Sequence, residues 1–217
     1  MSTYILVDSF NMYHRAKHVA MRGANIDMKI GMAYHIMLSS VKLCYNKFNA
    51  DHAVFCLEGR SWRKDFYEPY KKNRQVARLA KSVREQEEDE IMFQSYDDMI
   101  TFLDEKTNVT LLQNNEAEAD DMIAYMAKEL PRRFNSQMII VSSDKDYLQL
   151  VNDHVTMYRP ITKVFYGPKD VKREFMVHPY NFIIYKTMLG DQSDKIEGIK
   201  GLGPKTLLKL FPDILDV

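Results

Sequence analysis

The densest group of chemically capable side chains lies at residues 116 to 121, where four carboxylates fall within six residues. They are Glu116, Glu118, Asp120 and Asp121, directly before an apolar run of helical spacing. Acids at a helix start commonly reflect the favourable dipole of the first turn. Four acids repel one another, however, and carboxylate oxygens are preferred ligands of hard divalent cations. We therefore expect a metal site here, with the ordinary preference for acids in the first turn of a helix as the alternative for one or two of them.

Three more acidic positions follow short apolar runs that have the length of buried strands. The runs lead into Asp8, into Glu58, and into the pair Asp144 and Asp146. Taken alone, Asp8 could equally cap the helix that follows it. The spacing of Asp144 and Asp146 would let both carboxylates face one ion in a tight turn. These acids are candidate metal ligands because of where the predicted fold places them.

The order of the elements predicts an α/β fold with a central, mostly parallel sheet flanked by helices. Apolar strand-like runs are separated by segments of helical periodicity, and runs at residues 155 to 158 and 164 to 166 predict edge strands or a small hairpin. The carboxyl ends of parallel strands lie along one edge of such a sheet, so the acids would meet there. That density of charge requires cations. Two divalent ions about 4 Å apart are the usual arrangement in enzymes that cut phosphodiesters.

A basic segment rich in aromatic residues follows the second predicted strand. Nine basic and two acidic residues lie between Arg60 and Arg84, and residues 62 to 74 interleave aromatic rings with Lys and Arg. Rings can stack on unpaired bases while cations neutralise phosphates, so the composition favours a surface for single strands or ends of nucleic acid. A solvated helix face is the alternative. The acidic run from Glu85 to Glu90 is interpreted as a solvated face or loop without chemistry.

A glycine-rich segment near the C-terminal end of the sequence predicts a second contact with nucleic acid. Gly198, Gly201 and Gly203 permit a tight hairpin between two helices. Backbone N–H groups at the start of the following helix could bind a phosphate without reading any base. An ordinary turn between helices is the alternative. The charged residues nearest this segment are Asp191, Asp194, Lys200 and Lys205.

The bulk properties of the sequence are those of a folded globular protein. Its 217 residues are 46% hydrophobic and suffice for one domain, or for one domain with a small appendage. Thirty basic residues balance thirty acidic ones, so net charge indicates no particular partner. Neither a membrane-length apolar run nor a signal sequence is found, and we expect a cytoplasmic protein. Cys44 and Cys56 have no CxxC spacing, which favours buried thiols over a disulfide or a zinc site.

Taken together, these motifs resemble the 5′-nuclease superfamily of flap endonucleases, 5′-nuclease domains of bacterial DNA polymerases, and phage 5′-exonucleases. The resemblance extends over essentially the whole chain and is most specific at residues 118 to 121, 143 to 146 and 190 to 206. Residues 62 to 74 look most like the T4-type phage ribonuclease H branch, whose members remove RNA primers.

The resemblance implies a PIN-like α/β core with a helical arch and a helix-hairpin-helix motif. Residues 1 to 167 would form the nuclease core, with the arch or gateway at about 60 to 105. Residues 168 to 217 would form a helical region that carries the DNA-binding hairpin.

The resemblance also implies two Mg²⁺ ions, with Mn²⁺ as a substitute. The residues implied around the first ion are Asp8, Glu58, Glu118 and Asp120. Those implied around the second are Asp121, Asp144, Asp146, Asp191 and Asp194, with Asp120 near both ions. Glu58 departs from the Asp usual in the superfamily, so its carboxylate stands one methylene further from the backbone and could act through water.

Further residues are implied to contact the substrate. Lys71 and Arg74 would reach the scissile phosphate from the arch, as catalytic cations, and Tyr70 would lie near the terminal bases. The other implied DNA-binding residues are Lys72, Arg78, Lys200, Gly201, Gly203 and Lys205. A potassium ion bound by backbone carbonyls of the hairpin is a further cofactor that the resemblance implies.

The expected function is that of a divalent-metal-dependent 5′ to 3′ nuclease that cuts at 5′ ends and branched junctions of DNA and of RNA-primed hybrids. Primer removal in phage DNA replication would be its role, and a single-strand-binding protein or other replication proteins its partners. We expect a monomer that does not associate with membranes. Two alternatives are a non-catalytic binder of branched DNA with the same fold and a PIN-type ribonuclease.

Overall fold

The computed structural model describes residues 1–20 and 25–216. Its strands are β1 (Thr3–Asp8), β2 (His52–Cys56), β3 (Thr110–Leu112), β4 (Gln137–Val141), β5 (Val155–Arg159), β6 (Val164–Tyr166), β7 (Gly190–Asp191) and β8 (Ile196–Glu197). Its helices are α1 (Ser9–Ala20), α2 (Ile26–Phe48), α3 (Arg63–Phe66), α4 (Lys72–Leu79), α5 (Val83–Lys106), α6 (Ala119–Phe134), α7 (Pro168–Phe175), α8 (Phe182–Leu189) and α9 (Pro204–Leu210). Short 3-10 segments occupy Lys145–Leu150, Pro179–Asn181 and Pro212–Leu215. Within the described residues, no helix has both the length and the apolar content needed to cross a bilayer.

The central sheet contains β1 to β6 in the spatial order β3-β2-β1-β4-β5-β6. Neighbouring strands from β3 to β5 are parallel, and β6 pairs antiparallel with β5. Ile5, Leu6 and Val7 in the central strand β1 are completely buried, as expected where helices cover both faces of a parallel sheet. The predicted mostly parallel sheet is thus confirmed. Of the two interpretations of residues 155–158 and 164–166, the small hairpin is correct, since β5 pairs with both β4 and β6 and only β6 of these two lies at the edge.

The two faces of the sheet pack against different helices. Side chains alternate along a strand, so Ile5 points to a core shared with α1, α2 and α5, while Leu6 points to a core shared with α6. Phe182 of α8 and Leu207 of α9 belong to the second core. The C-terminal helices therefore pack on the same sheet as the rest of the chain, and the division at residue 167 stays a prediction.

The two cysteines lie in the separate cores on opposite faces of the sheet. Cys44 and Cys56 are free and buried, as predicted. Burial raises the pKa of each thiol to about 12, so both are protonated at neutral pH and unreactive.

The segment predicted to form an arch contains α3, α4 and α5. Helix α4 has no buried residue, and it contacts the loop after β7 through Arg74 and Asn73. Helix α5 begins with a capping box in which Ser82 and Glu85 exchange hydrogen bonds. Its middle part packs on the sheet through residues that include Met92. This segment therefore extends from the core across to the C-terminal part of the chain.

The acidic run at residues 85 to 90 is not wholly solvated, which corrects the interpretation made from sequence. Asp89 is buried and pairs with two cations, Lys17 of α1 and Lys81 before α5. A carboxylate can be buried when it is paired with cations and hydrogen-bonded. Lys17 lies 72 residues away along the chain, so the sequence around Asp89 gave no sign of the pairing. These two ion pairs connect the turn between α4 and α5 to α1.

The glycine-rich connection between α8 and α9 contains a tight turn, in which the backbone N–H of Leu202 donates a hydrogen bond to the carbonyl oxygen of Ile199. It includes a two-residue antiparallel ladder between β7 and β8. Gly198 passes so close to α8 that an added Cβ would lie 2.2 Å from the carbonyl oxygen of Leu189. Gly201 has a φ of +81°, which favours glycine, whereas Gly203 has ordinary φ and open space around it. The helix-hairpin-helix motif stays a prediction.

Candidate active site

The acidic residues meet at the carboxyl edge of the sheet, where the strand order reverses. Asp8 ends β1, Glu58 follows β2, and Asp144 follows β4. The chain builds β1, β2 and β3 in one direction and then returns to place β4 on the other side of β1. Ligands of open α/β sheets bind in the crevice at such a reversal. Asp8 and Asp144 flank this crevice, as the predicted fold required.

Asp8 is almost completely buried, with 2% of its surface exposed, and is fixed by three donors. Its Oδ2 accepts a hydrogen bond of 2.9 Å from the Ser142 hydroxyl, and its Oδ1 lies 3.3 Å from the backbone N–H of Asn11. The Tyr147 hydroxyl lies 3.1 Å from Oδ2 of Asp8 and 2.6 Å from Oδ1 of Asp120. A hydroxyl has one proton, so the shorter contact, to Asp120, is the stronger hydrogen bond. Tyr147 thus sets the relative orientation of two candidate ligands.

The carboxylates of this cluster raise one another's pKa values. Burial raises the pKa of Asp8 well above its ordinary value, and the charges of Asp120, Glu58 and Asp144 raise it further. Burial and then the charge of Asp146 raise the pKa of Asp144 to about 6. Burial and the charge of Asp120 raise the pKa of Glu58. Glu58 therefore lies close enough to interact with the other acids, even though its carboxylate stands one methylene further from the backbone than that of an Asp.

Two cations from the basic segment neutralise the acids at the start of α6. Arg63 forms ion pairs of 2.7 Å with both Glu118 and Asp121, and Lys71 forms one of 2.8 Å with Glu118. Burial would raise the pKa of Glu118, but Lys71 and Arg63 hold it below its usual value. Asp121 also accepts a hydrogen bond of 3.1 Å from the backbone N–H of Glu118. Asp121 thus both caps α6 and pairs with Arg63, and its part in a metal site stays a prediction.

A second acidic group joins the core to the C-terminal part of the chain. One oxygen from each of Asp146, Asp191 and Asp194 lies within 4.8 Å of the others. Lys186 pairs with Asp146 at 2.6 Å and with Asp191 at 2.5 Å, while Arg74 pairs with Asp194 at 2.9 Å. Burial would raise the pKa of Asp191, but Lys186 lowers it to about 2. Residues from three distant parts of the sequence therefore meet at this point.

The donor atoms of both groups fit hard divalent cations. Every candidate ligand offers anionic carboxylate oxygen, which is the type of donor that Mg²⁺ and Mn²⁺ prefer. Asp146, Asp191 and Asp194 have the spacing to share one ion. Burial is the main cause of the raised pKa values of Asp8 and Asp144, and the repulsion from neighbouring carboxylates that raises them further is what a bound cation would relieve. The division of the acids between two ions stays a prediction.

The predicted DNA contacts from the basic segment have different surroundings. Tyr70 is only 7% exposed, and its hydroxyl lies 3.4 Å from Glu118. Lys72 is exposed and pairs with Glu68, while the Arg78 guanidinium lies over the ring of Phe93 at 5.6 Å. Their contacts with nucleic acid stay predictions, and Tyr70 in this conformation presents little surface to a base.

The predicted contacts of the glycine-rich segment lie on the surface. Lys200, Gly201 and Lys205 are exposed, and Gly203 is partly exposed. Helix α9 is short, so the dipole at its start is correspondingly weak. Backbone binding at this segment stays a prediction.

Several site residues had not been assigned a role from the sequence. Arg63 lies in the basic segment at residues 62 to 74. Its ion-pair partners Glu118 and Asp121 follow it by 55 and 58 positions in the sequence, and no local pattern reveals such a pairing. Lys186 is the one Lys or Arg within α8, a helix of otherwise mostly apolar residues, and lies one turn before Asp191, a signal that could have been used. Ser142 and Tyr147 flank the acids that follow β4, but sequence does not reveal where a hydroxyl points.

A cavity of about 700 Å³ opens beside the acids. Its lining includes four acids, Asp120, Asp121, Asp144 and Asp146, together with side chains of the basic segment, namely Trp62, Arg63, Phe66, Tyr67, Tyr70 and Lys71. Substrate-sized ligands bind in concave sites of this volume. These four acids thus border an accessible space, whereas Asp8 and Glu118 are buried.

Comparison with known proteins agrees with this geometry. The sequence profile of the "5′-3′ exonuclease, N-terminal resolvase-like domain" matches residues 3–176. The flap endonuclease Xni of Shewanella woodyi is 30% identical over 218 residues, covering 97% of this chain and 79% of that protein. DNA polymerase I of Rhizobium leguminosarum is 32% identical over 164 residues, covering 76% of this chain and 15% of the polymerase.

Solved structures share the fold. A structure of the 5′-exonuclease of T5 with bound zinc superposes with a TM-score of 0.82 at 24% identity, covering 99% of this chain and 76% of that one. Human GEN1 in complex with Holliday junction DNA superposes with a TM-score of 0.59 at 17% identity, covering 99% and 50%. The PIN-like α/β fold class and the resemblance to 5′-nucleases are confirmed. The chain therefore belongs to the 5′-3′ exonuclease family, and it is an enzyme of the kind whose relatives are named flap endonucleases and 5′-3′ exonucleases.

Proposed function

We propose that this protein is a divalent-metal-dependent 5′ to 3′ nuclease that hydrolyses phosphodiesters at 5′ ends and at branched junctions. The observation that carries the proposal is the meeting of nine candidate acids from five parts of the sequence at one edge of the sheet, beside an open cavity. The relatives support it, since structures of T5 enzymes are described with zinc, and with DNA and metal ions.

Two Mg²⁺ ions, for which Mn²⁺ could substitute, fit this site. The first would be held by Asp8, Glu58, Glu118 and Asp120, and the second by Asp121, Asp144, Asp146, Asp191 and Asp194. When bound, such ions lower the pKa of a water molecule that attacks the phosphorus and stabilise charge on the phosphate. The protein's own contribution is to hold the carboxylates in place, through Ser142 and Tyr147 for Asp8 and Asp120.

Lys71 and Arg74 act as the cations that contact the scissile phosphate. Burial would lower the pKa of Lys71, but Glu118 and Tyr70 raise it above its ordinary value, so the ammonium group keeps its charge at neutral pH. Arg74 is half exposed and pairs with Asp194, which lines the cavity. A fixed cation beside a phosphate stabilises the charge that develops during hydrolysis.

Residues 198 to 206 hold the duplex backbone, with Lys200 and Lys205 beside the phosphates and Gly201 and Gly203 allowing close approach. A potassium ion on backbone carbonyls of this segment completes the contact. The support is the exposure of the segment and its place after Asp194, which brings a duplex held here next to the acids.

RNA-primed hybrids are a second substrate, and primer removal in phage DNA replication is the role. The support is the likeness of residues 62 to 74 to the T4-type phage ribonuclease H branch. In that role the protein works as a monomer in the host cytoplasm, together with a single-strand-binding protein or other replication proteins.

A product-length assay with Asp146→Asn tests the proposed activity. The substrates are a 5′-flap DNA and a matched RNA-primed hybrid, each labelled at the 3′ end of the cleaved strand, with Mg²⁺ or with chelator. We expect metal-dependent cuts at the junction or from the 5′ end, abolished by Asp146→Asn while DNA binding is retained. Asp153→Asn, in an exposed loop before β5, is the matched control and should cleave like the native protein. Binding without cleavage under any divalent metal would instead support a non-catalytic DNA-binding protein.

A further inference from the structure

Two histidines lie one helical turn apart on the exposed face of α1. His14 and His18 are four positions apart within the helix, and both side chains are exposed in part. The face of α1 that packs on the sheet is formed by other residues, among them Met12, Tyr13 and Ala16. Residues four apart in a helix are neighbours on its surface. The two imidazoles therefore form a pair outside the core, and neither lines the cavity beside the acids. We call them the histidine pair.

The separation of the two rings is the one that a shared metal ion requires. Their centroids lie 4.6 Å apart, and their planes are inclined at 78°. With a metal–nitrogen distance of about 2.0 Å, two imidazoles on one square or tetrahedral ion have ring centres about 4.5 to 5.2 Å apart. The histidine pair can therefore bind an ion without a change in the backbone of α1.

The ring nitrogens of the pair are available to a ligand. Within residues 1–20 and 25–216, neither ring makes a hydrogen bond or an ion pair, and the aromatic contacts of the pair are between the two rings and with Phe10. Desolvation of the ring and then the charge of His18 lower the pKa of His14 to about 4. Desolvation and then the charge of Lys17 lower the pKa of His18. Both rings are thus neutral at pH 7, and the neutral imidazole is the form that binds metal.

The charges and donor atoms around the pair decide which class of ion fits. Lys17 and Lys81 act on both rings, and both lysines pair with Asp89, which offsets part of their charge. The two donors are neutral nitrogen atoms, which Zn²⁺ and Cu²⁺ bind readily, whereas Mg²⁺ prefers oxygen. The histidine pair therefore differs from the acids at the sheet edge in the class of ion that it would take.

We propose that His14 and His18 bind one transition-metal ion of the class of Zn²⁺ and Cu²⁺, through one ring nitrogen each, with water in the remaining positions. This site goes beyond the proposed nuclease function and does not depend on it. The ion would link two successive turns of α1, the helix that begins directly after Asp8. Because an ion bound only by the folded chain stabilises the fold, it should raise the melting temperature.

Calorimetric titration with Zn²⁺ in excess Mg²⁺ tests the site. The acids can also take up Zn²⁺, so the difference between the native protein and variants of the pair isolates the ion on α1. His14→Ala and His18→Ala should each weaken that ion's binding by about 100-fold or more, because the second donor of a linked pair acts at a high effective concentration. Both side chains are exposed in part, so the variants should fold, and their circular dichroism checks it.

Electron paramagnetic resonance with one equivalent of Cu²⁺ identifies the donor atoms directly. The native protein should show coupling to two nitrogen nuclei, which carboxylate ligands cannot produce, and His14→Ala and His18→Ala should each lose the two-nitrogen pattern. His35→Ala is the matched control. His35 is exposed on α2 and has Ser39, not a histidine, four positions later. This variant should match the native protein in both Zn²⁺ binding and the Cu²⁺ spectrum.

Equal Zn²⁺ binding by the native protein and the double variant His14→Ala, His18→Ala would overturn the proposal. A native Cu²⁺ spectrum with one nitrogen, or a two-nitrogen spectrum that survives in the double variant, would do the same. These measurements use no nucleic acid. Their outcome is therefore independent of whether the protein cleaves the flap substrate.

Discussion

The candidate active site depends on residues other than the candidate metal ligands, and Arg63 is the clearest case. Its guanidinium contacts Glu118 and Asp121 at the start of α6 while its side chain is 32% exposed. Its positive charge therefore lies between two of the candidate metal ligands. Ser142 and Tyr147 differ from Arg63 because they carry no charge: their hydroxyl groups orient Asp8 and Asp120 by hydrogen bonds alone. Ligands with such fixed orientation bind metal more tightly than free carboxylates do.

Replacing Arg63 with Gln should expose the dependence of the acids on a neighbouring cation. In chelator the melting temperature of Arg63→Gln should fall by several degrees, because Glu118 stays buried with one counter-charge fewer. Adding Mg²⁺ should narrow the difference from the native protein, because the added cation supplies the missing charge. Thermal melts in both conditions measure it.

The matched control is Arg60→Gln. Arg60 forms an exposed ion pair with Asp65, and such pairs contribute little to stability. Its melting temperature should match that of the native protein in both conditions. If the deficit of Arg63→Gln were the same with chelator and with Mg²⁺, Arg63 would be a general structural residue with no link to the metal site.

At the scale of elements, the sheet could be predicted and the connections that complete the site could not. The apolar runs before Asp8, Glu58 and Asp144 are local patterns, and parallel pairing then fixes which ends meet. The position of Asp89 in the core and the course of residues 190 to 203 depend on partners far along the sequence. Local composition therefore gave a wrong interpretation of Asp89 and left the course of residues 190 to 203 undetermined.

Gly198 lies so close to the end of α8 that adding a single methyl group there should strongly affect stability and activity. Gly198→Ala would place a Cβ 2.2 Å from the Leu189 carbonyl oxygen, so the loop that carries Asp191 and Asp194 must shift. We expect a lower melting temperature and loss of most nuclease activity.

Gly31→Ala is the control, since Gly31 lies within α2 with open space around it. It should raise stability by about 0.5 to 1 kcal/mol, as alanine does within helices. Native-like activity in Gly198→Ala would contradict the argument.

At the scale of the whole molecule, the net charge is zero, but the acidic residues are concentrated at the candidate active site. The raised pKa values of Asp8, Asp120 and Asp144 mean that the folded protein without metal binds protons more tightly than the unfolded chain does. Each such group stabilises the fold below its unfolded pKa, and this contribution is lost as the pH rises through the folded pKa. The lowered pKa of Asp191 has the opposite effect, which appears only below about pH 4.

Asp144→Asn should therefore change the pH dependence of stability in chelator. The pKa of Asp144 is raised from 3.8 to about 6, so the native protein should lose stability between about pH 4 and pH 7. Asparagine stays neutral and can still accept the hydrogen bond from the Asp146 backbone N–H. The variant should gain in melting temperature relative to the native protein at pH 7.5 but not at pH 4.5. A constant difference across this range would show that Asp144 is not held in a strongly repulsive environment.

The ion pairs that join the protein's own cations to its acids have one more consequence. Lys71, Arg74 and Lys186 pair with carboxylates of the candidate metal ligands. On the proposed function, a metal ion bound by those carboxylates would release the same side chains to meet phosphates. Metal and nucleic acid would then increase each other's affinity by an equal factor, as thermodynamic reciprocity requires. The two ligands would thus bind cooperatively, by exchange of counter-ions within the site.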